Sequence, residues 1–158
     1  IGDRPKWHLV GHLQTNKIKD ALRIFSLIHS VDSVQLASKI DKEARTINKV
    51  QDVLIQVKTS GEETKFGIGP DAAIDFLKEI SIYPNIMILG LMTIAPEVED
   101  PEKARPYFRA LRDLRDKINS ILNTQYSILS MGMSNDFEVA IEEGANMVRV
   151  GRAIFRDD

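Results

Sequence analysis

A chain of 158 residues that is 43% hydrophobic and 28% charged, with no Cys, has the apolar content for one core; it is neither a disordered tail nor a disulfide-stapled miniprotein. Its formal charge of -2, with acidic and basic residues mixed along the chain, gives no electrostatic case for nucleic acid or an anionic membrane. No apolar run approaches the about 20 residues of a membrane span and no signal-peptide layout opens the chain, so a cytoplasmic protein with a small-molecule partner is expected.

Short apolar runs rich in Val, Ile and Leu alternate with longer segments at helical spacing. Trp7 to Leu13 reads as a strand and is followed by a helical pattern over Gln14 to Arg23. Phe25 to Val31 leads into Ser33 to Asn48, and Val53 to Val57 into a polar loop and then Pro70 to Ile80. Ile86 to Met92 precedes Pro101 to Leu122, Ser127 to Met131 precedes Ser134 to Glu143, and Met147 to Val150 is the last strand. Pro101 and Glu102 suit a helix start, and Gly144 suits a helix end. Six strand-helix units predict a parallel sheet of the α/β class. A complete (β/α)8 barrel takes about 250 residues and eight units. The chain also begins at Ile1, directly in a strand-like pattern, as a piece of a longer sequence would.

The last two units hold the most specific chemistry. Ser130-Met131-Gly132-Met133-Ser134 follows a strand, with Ser134 placed to cap the next helix. Gly151-Arg152-Ala153 directly follows Met147 to Val150, where backbone N–H groups can face an anion such as a phosphate. Plain turn and cap roles for Ser134, Gly132 and Gly151 remain open on spacing alone. Arg149 alternates with Val148 and Val150, so it faces the opposite side of the sheet. An interior Arg must be paired or must serve a ligand, and both readings are open.

His8 and His12 are four residues apart and so share a strand face, but with no Cys and no carboxylate at ligand spacing they make a poor zinc site. His12 at a strand end, with Gln14 and Asn16 behind it, reads as pocket polars or as loop hydrogen-bonders. His29, at the end of the second strand, has a structural reading only. Lys65, in the glycine-punctuated loop from Lys58 to Gly67, is a candidate functional amine or a solvated lysine. The Met residues read as core filler, with Met133 the exception, and Trp7 as a packing residue. Arg109, Arg112, Asp113, Arg115, Asp116 and Lys117 read as the solvated face of an amphipathic helix. No Gly-x-Ser-x-Gly elbow ties a nucleophile to a base.

Five stretches, in order, closely resemble the pyridoxal phosphate homeostasis protein family: Trp7 to Lys17 (WHLVGHLQTNK), Thr59 to Gly67 (TSGEETKFG), Gly90 to Pro96 (GLMTIAP), Leu129 to Ser134 (LSMGMS) and Val148 to Phe155 (VRVGRAIF). The resemblance covers nearly the whole chain. It implies one (β/α)8 barrel domain of the alanine racemase N-terminal type over residues 1–158, incomplete here and lacking the first two βα units. It implies pyridoxal 5'-phosphate at the C-terminal strand ends, in a protein that carries or buffers the cofactor without catalysis. Ser134 and the turn with Met133 would then hold the phosphate together with the N–H groups of Gly151 and Arg152. Arg149 would face the pyridine nitrogen, and His12 and Asn16 would border the pocket. The family's Schiff-base lysine and a Gly-Glu-Asn motif, both of which precede the segment resembling Trp7 to Lys17, are absent from this chain. An alanine racemase-like enzyme, a barrel enzyme acting on a phosphorylated metabolite, and association through open barrel edges are the alternatives.

Overall fold

The computed structural model describes residues 5–61 and 66–155; Lys65 lies outside them. Six strands form one parallel sheet in chain order: β1 (His8–Leu9), β2 (Leu27–Val31), β3 (Gln51–Gln56), β4 (Ile86–Met92), β5 (Ile128–Met133) and β6 (Met147–Arg149). The helices between them are α1 (Ile18–Ile24), α2 (Val34–Thr46), α3 (Ala73–Ile80), α4 (Arg105–Leu122), α5 (Phe137–Glu142) and α6 (Arg152–Phe155). Short 3-10 turns over Thr15–Lys17, Pro70–Ala72 and Pro101–Ala104 lead into α1, α3 and α4. Sequential order without reversal is the pattern of a barrel wall rather than of a doubly wound sheet.

The two faces of the sheet differ as that architecture requires. Ile28, Val31, Val53, Ile55, Leu91, Leu129 and Met131 pack with the buried faces of α1 to α5 into one large core. On α4 that face is Phe108, Leu111, Leu114 and Ile118, the stripe a helical period of 3.6 produces. The other face carries a smaller cluster of Leu27, Leu54 and Met92, against which Leu89, Ile128 and Met147 pack. Strand alternation puts His29, Gln56, Ser130 and Arg149 on that same inner face, each two residues beyond Leu27, Leu54, Ile128 and Met147. The barrel interior therefore has an apolar floor under a polar layer at the C-terminal strand ends.

Two features fix the last strands. Gly90 lies so close to β5 that a Cβ there would sit 2.7 Å from the Ile128 carbonyl carbon and 2.8 Å from its nitrogen. Arg105, Arg109 and Arg112 of α4 converge on Glu143, just past α5, with Arg109 Nη2 at 2.8 Å and Arg112 Nη1 at 2.9 Å from its carboxylate. Glu143 is 3% exposed. Arg109's hydrogen bond, aided by Arg105 and by the charge of Arg112, holds its carboxyl down to about 2. Of the arginines expected on a solvated face, Arg109 and Arg112 thus join Arg105 in pinning the end of α5 to α4; their counter-ion comes from outside α4, which the helical repeat of α4 does not reveal.

The first strand is shorter than its apolar run suggests. β1 ends at Leu9, and Gly11 takes a φ of +105°, so His12 stands in the following loop rather than at a strand end and does not share a strand face with His8. Trp7 is 62% exposed rather than packed, and Met87 is exposed rather than core filler.

Candidate functional site

β5 and β6 bring the polar residues together at their C-terminal ends. Gly132 takes a φ of +92°, and a Cβ on it would lie 2.6 Å from the Ala140 Cβ, so only glycine lets α5 approach the strand this closely. The turn that follows is closed by Asp136, whose Oδ1 accepts from the Met133 N–H at 2.6 Å. Asp136, not Ser134, is the N-cap residue of α5. Ser134 is turned the other way: its Oγ accepts from the N–H groups of Gly151 (3.2 Å) and Ala153 (3.3 Å) and ties the two turns into one surface. A Cβ on Gly151 meets nothing within 4 Å, so the space above that backbone is open. Met133 is 43% exposed beside it. A cavity of about 540 Å³ lies here, lined by Glu97, Val98, Glu99, Ser134, Asn135, Arg152 and Ala153. Arg152 reaches Glu97 at 3.4 Å.

Arg149 has no carboxylate partner among the described residues. Its Nη1 donates to Ser130 Oγ at 2.7 Å and its Nη2 to the Thr93 carbonyl at 2.9 Å, while Nε is buried with no partner. Burial lowers its pKa to about 10, so it remains a cation at neutral pH. Of the two roles open for this arginine, an ion pair is not what the structure shows. The cation is held by two neutral acceptors, and its Nε is left without a partner.

His29 is a second correction. It lies within β2 rather than at its end, is 1% exposed, and its Nδ1 lies 2.9 Å from Ser130 Oγ. Its Nε2 lies 3.2 Å from His8 Nδ1. Burial, with His8 and Arg149 opposing a further positive charge, lowers its pKa to about 4. Thr93 is also part of the site, accepting from Arg149 through its carbonyl and donating its hydroxyl to the Val57 carbonyl at 2.8 Å. His12 is exposed and its ring stacks on Phe66 with centroids 4.2 Å apart, whereas Asn16 is exposed in the 3-10 turn before α1. Neither has a hydrogen bond joining it to Arg149 or Ser134 among the described residues.

Among the described residues no cluster of His, Asp and Glu is able to hold a metal, and no helix is long and apolar enough to cross a membrane. Residues 2–158 match the family model of the alanine racemase N-terminal domain. The chain is 51% identical over 150 residues to the pyridoxal phosphate homeostasis protein of Aquifex aeolicus, covering 95% of this chain and 66% of that protein. It is 38% identical over 154 residues to the protein of the same name from Helicobacter pylori, covering 96% of this chain and 67% of that one. The chain thus spans about two thirds of the length of these curated relatives. Among solved structures, PipY of Synechococcus elongatus with PLP bound superposes with a TM-score of 0.88 at 34% identity, over 96% of this chain and 70% of that one. Alanine racemase of Clostridium difficile superposes with a TM-score of 0.83 at 17% identity, a likeness of fold. The chain belongs to the alanine racemase N-terminal domain family and, within it, to the pyridoxal phosphate homeostasis proteins.

Proposed function

We propose that this protein binds pyridoxal 5'-phosphate at the C-terminal ends of β5 and β6 and serves cellular cofactor homeostasis as a non-catalytic carrier. The observation that carries the reading is the unspent, buried Nε of Arg149, two residues before the open backbone at Gly151. The donor set fits the group: the Ser134 hydroxyl and the Arg152 N–H suit a phosphate, the Gly151 N–H, which donates to Ser134 Oγ, would be shared with it, the exposed Met133 borders it, and Arg149 suits a ring nitrogen that accepts. His12 and Asn16 would border the mouth. The names of the curated relatives and the PLP held by PipY support the same ligand. Pyridoxal phosphate supplies an aldehyde that takes amines and a ring that withdraws electrons most strongly when its nitrogen is protonated. Arg149 remains charged at neutral pH and offers a hydrogen bond rather than an exchangeable proton, so it keeps a facing ring nitrogen unprotonated. That favours carriage over carbanion chemistry. A cytoplasmic location, and association through the open edges of β1 and β6, belong to the same reading.

The test is equilibrium dialysis of pyridoxal phosphate against the purified protein and its Gly151→Val and Ser134→Ala variants. Saturable binding that inorganic phosphate competes away, and that both variants weaken about tenfold or more, agrees with the reading: Ser134→Ala removes one hydrogen bond to a charged group, and Gly151→Val fills the open space above that backbone. Equal affinity for ribose 5-phosphate would instead favour a phosphorylated metabolite, and racemisation of alanine by the purified protein would favour an enzyme.

A further inference from the structure

We infer that His29, a residue with no contact to the phosphate cradle, is a positioning residue: through Ser130 it holds Arg149 with Nε free for the ligand. The inference rests on the reading above for the identity of that ligand, but not for the arrangement of the side chains. Four side chains from β1, β2, β5 and β6 form one chain of hydrogen bonds across the inner face of the sheet, from His8 to His29 to Ser130 to Arg149.

The direction of that chain follows from what each group can do. A guanidinium only donates, so the 2.7 Å bond leaves Ser130 Oγ as acceptor from Arg149. Ser130 is fully buried, and its own proton needs an acceptor. His29 Nδ1 at 2.9 Å is that acceptor. His29 then carries its proton on Nε2 and donates to His8 Nδ1 at 3.2 Å. This is the one arrangement in which Ser130 and both nitrogens of His29 are satisfied, and it requires a neutral His29 in the Nε2–H tautomer. Each donor in turn polarises the next, so the Ser130 lone pairs offered to Arg149 are strengthened by the bond to His29.

The titratable groups facing His29 are His8 from β1 and Arg149 from β6, and both oppose an imidazolium. The inner-face residues of β3 and β4 beside them, Leu54, Gln56 and Met92, carry no charge, and Asp52 lies one layer below, paired with Leu27. A proton added at Nδ1 would place an N–H where the Ser130 hydroxyl now donates. Ser130 would have to turn its hydrogen away and accept from two cations, and Arg149 would lose its fixed seat. Affinity for the ligand should therefore fall as His29 becomes charged.

Two readouts test this. In the ligand-free protein, 15N NMR of the histidines should show His29 with its proton on Nε2, neutral at pH 7 and still neutral at pH 5. The Arg149 Nε–H resonance should be sharp, and broadened in His29→Leu. A His29 that is protonated, or that carries its proton on Nδ1, at pH 7 overturns the inference, as does an unchanged Arg149 resonance in His29→Leu. In the second readout, pyridoxal phosphate affinity at pH 7.5 should drop about tenfold in His29→Leu and be largely restored in His29→Gln, whose carboxamide accepts from Ser130 and donates to His8. Below pH 5 the wild type should lose affinity faster than His29→Gln; the ligand's own ionisations are common to both proteins and cancel in the ratio. A constant ratio, or His29→Leu binding as wild type, contradicts the inference. Absence of binding by the wild type would instead overturn the cofactor reading, leaving the NMR to decide on His29.

Discussion

Replacing Gly132 with alanine tests how β5, α5 and the turn between them are joined. The new Cβ would stand 2.6 Å from the Ala140 Cβ and 3.0 Å from the Phe137 Cα, at a backbone φ of +92°. Neither neighbour can rotate away: one is a backbone atom and the other a side chain with no rotamers. Holding an L-residue at positive φ costs about 1–2 kcal/mol. Relief of the contact requires α5 to move by about 1 Å to reach the normal carbon separation of about 3.5–4 Å, and overpacking of that kind costs about 1–3 kcal/mol. The sum is about 2–5 kcal/mol, which at about 2–4 °C per kcal/mol for a chain of this size lowers the melting temperature by roughly 4–20 °C. Gly151→Ala is the matched control, because its Cβ meets nothing within 4 Å and should change stability by no more than about 0.5 kcal/mol. Circular dichroism melts of the two variants and the wild type decide the matter. A Gly132→Ala protein melting within about 1 °C of wild type, or a Gly151→Ala protein losing as much as Gly132→Ala, would refute the reasoning.

Further outcomes follow from the same contacts. Gly90→Ala drives a Cβ against the Ile128 backbone, so β4 and β5 must separate, and urea unfolding should show a loss of about 3 kcal/mol or more. Lys49→Met removes the ammonium that donates to the Leu22 and Phe25 carbonyls at 2.6 and 2.9 Å at the end of α1; the same assay should register about 1–2 kcal/mol. Glu143, with its carboxyl held at about 2 in the folded protein, stabilises the fold above the ordinary carboxylate range. That contribution fades as pH falls from about 4.5 to 2, so Glu143→Gln should be less stable by about 2 kcal/mol at pH 7 and converge on wild type in acid. His29, with its pKa lowered to about 4, contributes stability that is complete above about pH 6.5 and is lost as pH falls toward 4, about 2–3 kcal/mol in all. His29→Gln should flatten the urea midpoint across that window.

The fold was legible because burial on both faces leaves the central parallel strands as runs rich in Val, Ile and Leu, such as Val53 to Val57. β1 was overextended because an apolar run does not distinguish a strand from a loop; the left-handed turn at Gly11 ends it. Around the site, Gly132, Ser134, Arg149 and Gly151 were visible because each belongs to a local strand-and-turn pattern. The direction in which Ser134 points was not, since its donors lie 17 and 19 residues further on. The sequence alone gives His29 only a structural reading, because its partner Ser130 is 101 residues away. The signal was nevertheless present in the strands: on four of them a polar residue, His29, Gln56, Ser130 or Arg149, stands two residues after an inward apolar one. Polar residues repeated on the inner face of a barrel point to a ligand or to a network. Glu143 is out of reach of the α4 repeat for a related reason, because it meets Arg109 and Arg112 only once α5 packs on α4.

A crystal structure of the protein grown with pyridoxal phosphate tests the central claim most directly. The phosphate is predicted within hydrogen-bond distance of Ser134 Oγ and the Gly151 N–H, with the ring nitrogen facing Arg149 Nε. A cofactor seated elsewhere, or one whose ring nitrogen faces solvent while Arg149 keeps Nε unpartnered, would contradict the account.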